Sequence, residues 1–576
     1  MNSKNLYIYN KKEYKQKFSN TILKSHKIYL KKNLNKIDND FNIRLTNREY
    51  KRILSLINET FLYLVNRLEK YHKKKFNRKF WKILILPWLD NIIPNLYLKW
   101  IHLRKIDTKH LTHLYDYNQA KFISESFGDL DFNNNLDYNK WTVSEIIKYQ
   151  KKKKFKKKKV IFQKILKKNF PFYYKFIFFL LNILYKNIKY KFIIKGLGLG
   201  KLKYILFYIK LKNLPIPLIE TNYKFNKIDL QKRKKYFLIN KKRKSFSNFF
   251  KGLLIYLIPK NYLENFENIR EAVRKSYWPK NVKSVIVGQE YYFNDFFKFW
   301  ISNQSLYGTK LFIMQHGGRI GTEKFITNEY IQKLISDFFL TWGWNQKRNS
   351  KVYPFFCTYF EEKLKYKRRY TLKKIYFCQS IFPDNYGHVD GSPLSFLKKK
   401  ENYEYANQLY NNFKNNIKIN FIVRYLGHLS KKNSYHFYSL NKNITTDRAL
   451  KKLSKIINYG KIFIHDQDST AFLETLLYNV PTLLIFKNSD YKKLRKDSIV
   501  YYKILENSGI IQNSVENISN FINNNYHNID SWWFSKKVQV SRKIFVKKYI
   551  NTSRDSVSLI INFLNLNEKK NYKSKQ

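Results

Sequence analysis

The sequence predicts an α/β protein of two Rossmann-like lobes behind a mainly helical region, and three observations predict it. From about residue 280, short β-branched or aromatic runs alternate with helical patterns, as parallel sheets joined by βαβ crossovers require. That series breaks at the polar, Lys-rich stretch Glu361 to Lys374 and then resumes, which divides it into two lobes. Ahead of it, residues 1 to about 150 carry apolar positions at helical rather than alternating spacing.

Arg48 to Tyr71 is the clearest helix of the first region, and the segment around Trp81, Pro87 and Trp88 is a second. Strands are expected at Ser284 to Gly288, Lys310 to Met314 and Phe338 to Trp342 in the first lobe. In the second they are expected at Ile375 to Phe377, Ile419 to Val423, Lys461 to Ile464 and Thr482 to Phe486. The resulting division is a helical region over 1–150, a first lobe over 151–360, a second over 361–534, a C-terminal helix over 535–566 and a tail over 567–576.

Composition sets the outer limits. Hydrophobic residues make up 44% and aromatic ones 18%, enough to build a large core and to exclude global disorder. Lys and Arg number 112 against 41 Asp and Glu, a net charge of +71 that on its own suggests nucleic acid. The excess is almost all Lys, accompanied by abundant Asn, Ile, Tyr and Phe and few Gly and Pro, the set an AT-rich genome favours. Nucleic acid is therefore not the expected partner, while anionic nucleotides and lipid headgroups are still attracted.

Cys357 and Cys378 have no spacing partner and no His cluster nearby, so neither a disulfide framework nor a zinc site is expected, and a reducing compartment fits. The start, Met1-Asn2-Ser3-Lys4, leads into polar sequence without a signal-peptide pattern. The greasiest run, Phe170 to Tyr185, is broken by Lys175 and falls short of the ~20 apolar residues of a spanning helix. A cytoplasmic protein, soluble or peripheral at the inner membrane face, is the expectation. Lys151 to Lys159, eight lysines around Phe155, reads first as a solvated loop or helix face and second as a membrane-surface patch.

Three segments bear on chemistry. Gly196-Leu197-Gly198-Leu199-Gly200-Lys201 matches neither the dinucleotide nor the Walker spacing and reads as a glycine-rich turn. Gln315-His316-Gly317-Gly318-Arg319-Ile320-Gly321 directly follows a strand, which puts a glycine-rich turn and a histidine at the carboxyl edge of a sheet, where open α/β folds bind ligands. His316 there is a candidate general base or hydrogen-bond partner of a phosphate or hydroxyl; the plainer alternative is a histidine capping a tight turn. Glu323 and Glu329 beyond it could assist the base or bind acceptor hydroxyls, or be solvated helix residues.

The third segment, Ile464-His465-Asp466-Gln467-Asp468-Ser469-Thr470-Ala471-Phe472-Leu473-Glu474, reads strand, loop, helix. Asp468 or Ser469 can cap that helix, whose N-terminal amides suit a phosphate. Glu474 sits about one turn in, placed to reach ribose hydroxyls; its apolar neighbours make a purely solvated role harder to hold. Arg424, ending a strand, suits a diphosphate or, equally, a structural salt bridge.

These segments together resemble a family of transferases found in O-antigen and other surface-polysaccharide gene clusters. The matching residues are Trp81, Pro87-Trp88-Leu89, the Gln-His-Gly-Gly loop, Asp337, and Thr341-Trp342-Gly343-Trp344. They continue with Ser469-Thr470, Leu473-Glu474, Pro481, Ser508-Gly509-Ile510-Ile511, Trp532-Trp533, Gln539 and Phe545. More distantly, the His-Gly loop paired with Asp-x-Ser-Thr is similar to teichoic-acid CDP-glycerol glycerophosphotransferases, in which the two motifs face each other across a cleft. Arg319-Ile320 departs from that pattern, where an aromatic would precede Gly321.

The resemblance implies a two-lobed glycosyltransferase-B fold, with the acceptor on the first lobe, the nucleotide donor on the second and the last helix, around Trp532 to Ile550, crossing back to the first lobe. It implies His316 as base and Ser469 and Thr470 as donor-phosphate ligands; the residues themselves add Gly317, Gly318, Arg424, Asp468 and Glu474 as candidates beside the donor, and Arg319, Glu323 and Glu329 as candidates towards the acceptor. The expected reaction is metal-independent glycosyl transfer, without a cofactor, from a nucleotide-sugar to a glycan or lipid-linked acceptor. The alternatives are transfer of a polyol phosphate from a CDP-activated donor, and a non-catalytic basic protein that binds membrane or nucleic acid.

Overall fold

The computed structural model describes residues 45–105, 113–129, 136–151, 156–159, 173–238, 245–346, 349–360, 373–381, 396–425 and 440–573, with two short paired strands at Tyr7–Ile8 and Ile28–Tyr29. From residue 45 the chain runs through two long helices. α1 (Asn47–His72) begins in a capping box, where Thr46 and Glu49 satisfy each other's backbone amides. α2 (Arg78–Lys105) contains Pro87 and Pro94 and is almost wholly buried, because other helices cover it on every side. Tyr50 donates to the Ile326 carbonyl at 3.1 Å and Lys79 reaches Asp337 at 2.6 Å, so this helical pair is bound to the first lobe.

The first lobe holds a five-stranded parallel sheet in sequential order: β1 (Phe192–Lys195), β2 (Ser284–Val287), β3 (Lys310–Met314), β4 (Phe338–Thr341) and β5 (Val352–Pro354). The first four strands are short and buried on both faces, so they read as continuous apolar runs. Pro354 is tolerated because β5 is the edge strand. α3 (Tyr173–Tyr185) precedes β1, and α4 (Lys201–Lys210) follows it and opens a long excursion before β2. α5 (Asp295–Leu306) lies against α2, and α6 (Thr327–Ile335) leads into β4.

The second lobe has six parallel strands: β6 (Lys374–Cys378), β7 (Phe421–Arg424), β8 (Thr445–Asp447), β9 (Gly460–His465), β10 (Thr482–Ile485) and β11 (Ile511–Gln512). Their spatial order, β8-β7-β6-β9-β10-β11, is the doubly wound 3-2-1-4-5-6 arrangement. The order reverses between β6 and β9, which opens a crevice at their carboxyl ends. α7 (Thr470–Leu477) leaves β9 at that point, and α8 (Lys496–Asn507) follows β10.

The return to the first lobe takes two helices rather than the single one expected over 535–566. α9 (Lys536–Tyr549) packs on the second lobe, where Arg542 donates to the Leu476 carbonyl at 2.8 Å and Phe545 meets Phe472. The hand-over comes at Asn551, whose N–H donates to the Trp342 carbonyl at 2.8 Å. α10 (Ser556–Lys573) then lies on the first lobe, with Phe563 against Phe312, Tyr353 and Phe355. One apolar cluster runs from α1 through the first sheet to α7, α8 and α10, while two further clusters fill the remainder of the second lobe.

Among the described residues no helix is long and apolar enough to cross a membrane. Residues 156–159 of the lysine run form a strand parallel to His113–Asp116, not the loop or helix face expected, and the side chains of 151–159 lie outside the described residues. The linker residues 361–372 also lie outside them.

Candidate active site

β3 ends at Met314 and delivers the turn from Gln315 to Gly321 to the carboxyl edge of the first sheet. Gln315 shapes it. Its buried amide oxygen accepts from the Trp342 N–H at 3.0 Å and from Trp344 Nε1 at 2.7 Å. Its nitrogen donates to the carbonyls of Gly317 at 2.9 Å and Ile320 at 3.3 Å, so the full capacity of the amide is spent on the turn. Gly321 has φ 90°, and a Cβ there would lie 2.2 Å from the Trp344 ring, so torsion and contact both demand glycine. Trp342 and Trp344 are therefore core residues that support the turn, with no ring face free for a sugar.

His316 is half-buried, with Nδ1 3.2 Å from Gln332 Nε2. The same Nε2 lies 2.6 Å from the Tyr291 hydroxyl, and that hydroxyl lies 3.1 Å from Asn328 Oδ1. Gln332 Oε1 is buried without a hydrogen-bond partner among the described residues. The two orientations of this amide select different chemistry. With nitrogen towards the ring, Nδ1 accepts and Nε2 carries the proton. With oxygen towards the ring, Nδ1–H donates and Nε2 keeps the lone pair a base needs.

The switch point of the second sheet supplies the opposite wall. Just beyond β6, Ser380 donates to Asp466 from its hydroxyl at 2.7 Å and from its backbone N–H at 2.9 Å, and Gln467 also bonds the Ser380 hydroxyl. Burial pushes the Asp466 carboxyl up to about 6, against the Ser380 hydrogen bonds and the nearby positive charge of Arg319. Ser469 starts α7 by its backbone alone; its side chain makes no capping bond, so the first-turn amides keep their donors for another acceptor.

The two walls meet. The Gly318 N–H donates to Thr470 Oγ1 at 3.0 Å, and a Cβ on Gly318 would stand 2.8 Å from the Ser469 carbonyl carbon and 2.9 Å from the Thr470 nitrogen. Gly317 faces the same hydroxyl, at 3.7 Å from where its Cβ would be. The contact is reinforced a few residues on: the Arg495 N–H and the Ser498 hydroxyl each donate to the Thr322 carbonyl at 2.8 Å. Gly317 and Gly318, next to His316 in the turn, are thus brought against Ser469 and Thr470, the facing of the two motifs that the resemblance implied.

Glu474 is half-buried one turn into α7. Burial pushes its carboxyl up to about 7, opposed by a backbone hydrogen bond at Ser454 and the charges of Arg424 and Lys452. Arg424 itself is buried and committed, paired with Asp447 and bonded to the Lys451 carbonyl, which is the salt-bridge alternative of the sequence reading.

Other candidates stand elsewhere than expected. Glu329 is buried, accepts from the Gly321 N–H at 3.0 Å and pairs with Arg495 at 2.5 Å and with Lys333. Burial alone would raise its pKa, but the two cations outweigh that and hold it below the ordinary carboxylate value. Glu323 is fully buried 3.8 Å from Lys493. Both acids brace the turn and the lobe contact instead of facing an acceptor. Asp468 accepts from the Tyr502 hydroxyl at 2.5 Å and supports its loop; neither it nor Ser469 caps the helix through a side chain. Arg319, expected towards the acceptor, has φ 64° and sits within electrostatic reach of Asp466 on the donor wall.

Sequence reasoning missed Gln332, Ser380 and the structural role of Gln315. A polar residue on the buried stripe of α6, with Asn328, Ile331 and Ile335, is a signal for Gln332. A small hydroxyl two residues after a strand is one for Ser380. The glycine-rich turn at Gly196 to Gly200 is a turn indeed: Gly196 and Gly198 have φ 67° and 72°, and the Tyr359 hydroxyl bonds the Gly196 carbonyl at 2.9 Å.

A two-lobed α/β protein whose sheet-edge motifs close on each other fits a transferase that works between its lobes. The family of LIC12162 transferases matches residues 23–564, and the chain belongs to that family. No curated protein matches it. Among solved structures it is similar to TarM, at 12% identity and TM-score 0.31, covering 50% of this chain and 55% of that one, so it spans about half of TarM's length. It is also similar to the wall teichoic acid polymerase TagF, at 11% identity and TM-score 0.32, covering 68% and 93% of the two chains. A third is MurG of Acinetobacter baumannii, at 9% identity and TM-score 0.29, covering 66% and 99%.

Proposed function

We propose that this transferase moves a sugar from a nucleotide-activated donor to a surface-polysaccharide acceptor, glycan or lipid-linked, at the cytoplasmic face of a membrane. The observation that supports the reading best is the Gly318 to Thr470 hydrogen bond, which sets a histidine turn against a helix N-terminus at a topological switch point. The nucleotide lies along the crevice between β6 and β9. Its phosphates meet the first-turn amides of α7 and the Ser469 and Thr470 hydroxyls, with Arg319 reaching over from the first lobe. Glu474, titrating at about 7, offers both a donor and an acceptor to the ribose hydroxyls.

His316 removes the proton of the acceptor hydroxyl through Nε2, which requires Gln332 to turn its oxygen to Nδ1–H. As the sugar–oxygen bond breaks, negative charge builds on the leaving diphosphate, and the fixed amides of α7 stabilise it without reorganising. No cofactor enters, and the step uses no metal.

His316→Ala tests this. Turnover of a nucleotide-sugar by the purified variant should fall by about 10²–10⁴, with an unchanged melting curve. A variant that folds normally and turns over at the parental rate removes His316 from the chemistry.

A further inference from the structure

The first lobe carries an apolar surface that no part of the proposed reaction uses. Phe176, Phe179 and Ile183 recur at helical spacing on α3, and Leu202, Ile205 and Ile209 repeat that spacing on α4; all six are exposed, Leu202 by 82%. The opposite faces are anchored: α4 buries Phe207 and Tyr208, and α3 buries Phe178. The two helices share a footing, since the hydroxyls of Tyr185 and Tyr204 donate to the successive carbonyls of Pro215 and Ile216 at 3.0 and 2.7 Å. Single exposed apolar residues are ordinary, but two helix stripes of them tied to one segment mark a contact surface.

Charge indicates what covers it. Between Glu145 and Glu220 the chain has 21 lysines and not one Asp or Glu, although acids make up 41 of its 576 residues. Lys186, Lys189, Lys201 and Lys212 are exposed around the apolar stripes. A second copy of a chain at +71 would bring like charge to like. Nucleic acid would gain nothing from six apolar side chains. An anionic bilayer satisfies both features at once, with apolar groups entering the acyl boundary and lysine stems lying beside them, their ammonium heads among the phosphates.

We infer that the α3–α4 face is a docking surface for an anionic lipid bilayer. Phe176, Phe179, Ile183, Leu202, Ile205 and Ile209 insert, and the rim lysines select the headgroup charge. The placement suits the chemistry, a point that rests on the glycosyl-transfer reading while the docking does not. α4 starts at the carboxyl edge of β1, the edge that carries His316 two strands away, roughly 10 Å at ordinary strand spacing. A cavity of about 350 Å³ opens there between the Gly196 to Gly200 turn and Ile205. A bilayer on this face presents lipid-linked acceptors to the side of the cleft where the base stands.

Flotation of the full chain with phosphatidylglycerol-containing vesicles, against phosphatidylcholine alone, tests the docking. The protein should float with the anionic vesicles only, and less at high salt. A combined F179Q, I183Q, L202Q, I205Q and I209Q variant changes only exposed positions; it should keep its melting curve and its turnover of soluble acceptor while partitioning about 100-fold less. Undiminished flotation of that variant overturns the proposal. So does loss of all binding on neutralising residues 151–159 alone, which would make the attachment an electrostatic tether, or a dimer in light scattering that the five substitutions dissolve.

Discussion

Replacing Glu474 with glutamine should stabilise the folded protein at alkaline pH, even though it alters the proposed donor site. The Glu474 carboxyl titrates at about 7 in the fold against an ordinary 4.5, chiefly because it is buried. At 1.36 kcal/mol per pKa unit that gap sets a ceiling of about 3 kcal/mol, and the solvent contact of a half-buried side chain lowers it to about 1–2 kcal/mol. The sign follows from proton linkage. Below pH 4.5 the group is protonated folded and unfolded, and costs nothing. Between 4.5 and 7 the folded state holds the proton more tightly, so stability falls as pH rises, and above 7 the loss is constant. Glutamine never ionises. Thermal unfolding of both proteins should therefore show similar midpoints near pH 4.5 and a higher one for Glu474→Gln at pH 8. Calorimetry with nucleotide alone completes the test, because Glu474→Ala should bind it roughly ten- to a hundredfold more weakly. Parallel stability curves across this range, or normal nucleotide binding, would refute the assignment of a desolvated donor-site carboxyl.

Gln332→Leu removes the group that sets the imidazole tautomer; turnover should drop by about tenfold or more with donor affinity unchanged, and the acidic limb of the pH–rate profile should move, as stopped assays across pH will show. Gly318→Ala places a methyl 2.8–2.9 Å from the backbone of α7, which must shift. The strain of about 1–3 kcal/mol should appear as a raised donor KM and a lower melting midpoint. Activity should persist in a chelator, measured as turnover before and after dialysis against it, since the proposed step uses side chains and helix amides alone.

Much of the architecture was legible because its strands are short, doubly buried runs such as Val285-Ile286-Val287 and Phe463-Ile464, which no solvated element would carry. Two strands that escaped lack this mark: β8 is Thr445-Thr446-Asp447, a polar edge strand open to solvent, and β11 has two residues. β1 carries it, but as a run of three apolar residues between lysines, far in sequence from the rest of its sheet. The excursion from α4 to β2 hid the start of the first sheet, so the alternating pattern became visible only near residue 280. At the site, the two loops could be read because glycine after a strand and hydroxyls before a helix each serve a local need. Glu323, Glu329 and Arg424 could not be assigned the same way, since whether a charged side chain faces a ligand or a salt bridge depends on partners far away in sequence, here Lys493, Arg495 and Asp447. Gln332 illustrates the same limit: its importance comes from lying 3.2 Å from His316, a distance set by the tertiary packing of α6.

The most direct test of the central claim is the identity of the nucleotide released when the purified protein turns over an activated donor. Glycosyl transfer from a nucleoside-diphosphate sugar breaks the bond at the sugar carbon, and both phosphates depart with the nucleoside, held at the α7 amides. Chromatography of the products, or their phosphorus resonances, separates the possible outcomes. The account predicts a nucleoside diphosphate in step with glycosylated acceptor, both falling together in His316→Ala. Release of CMP from a CDP-polyol, with the polyol phosphate on the acceptor, would contradict it, because the bond broken would then be the pyrophosphate.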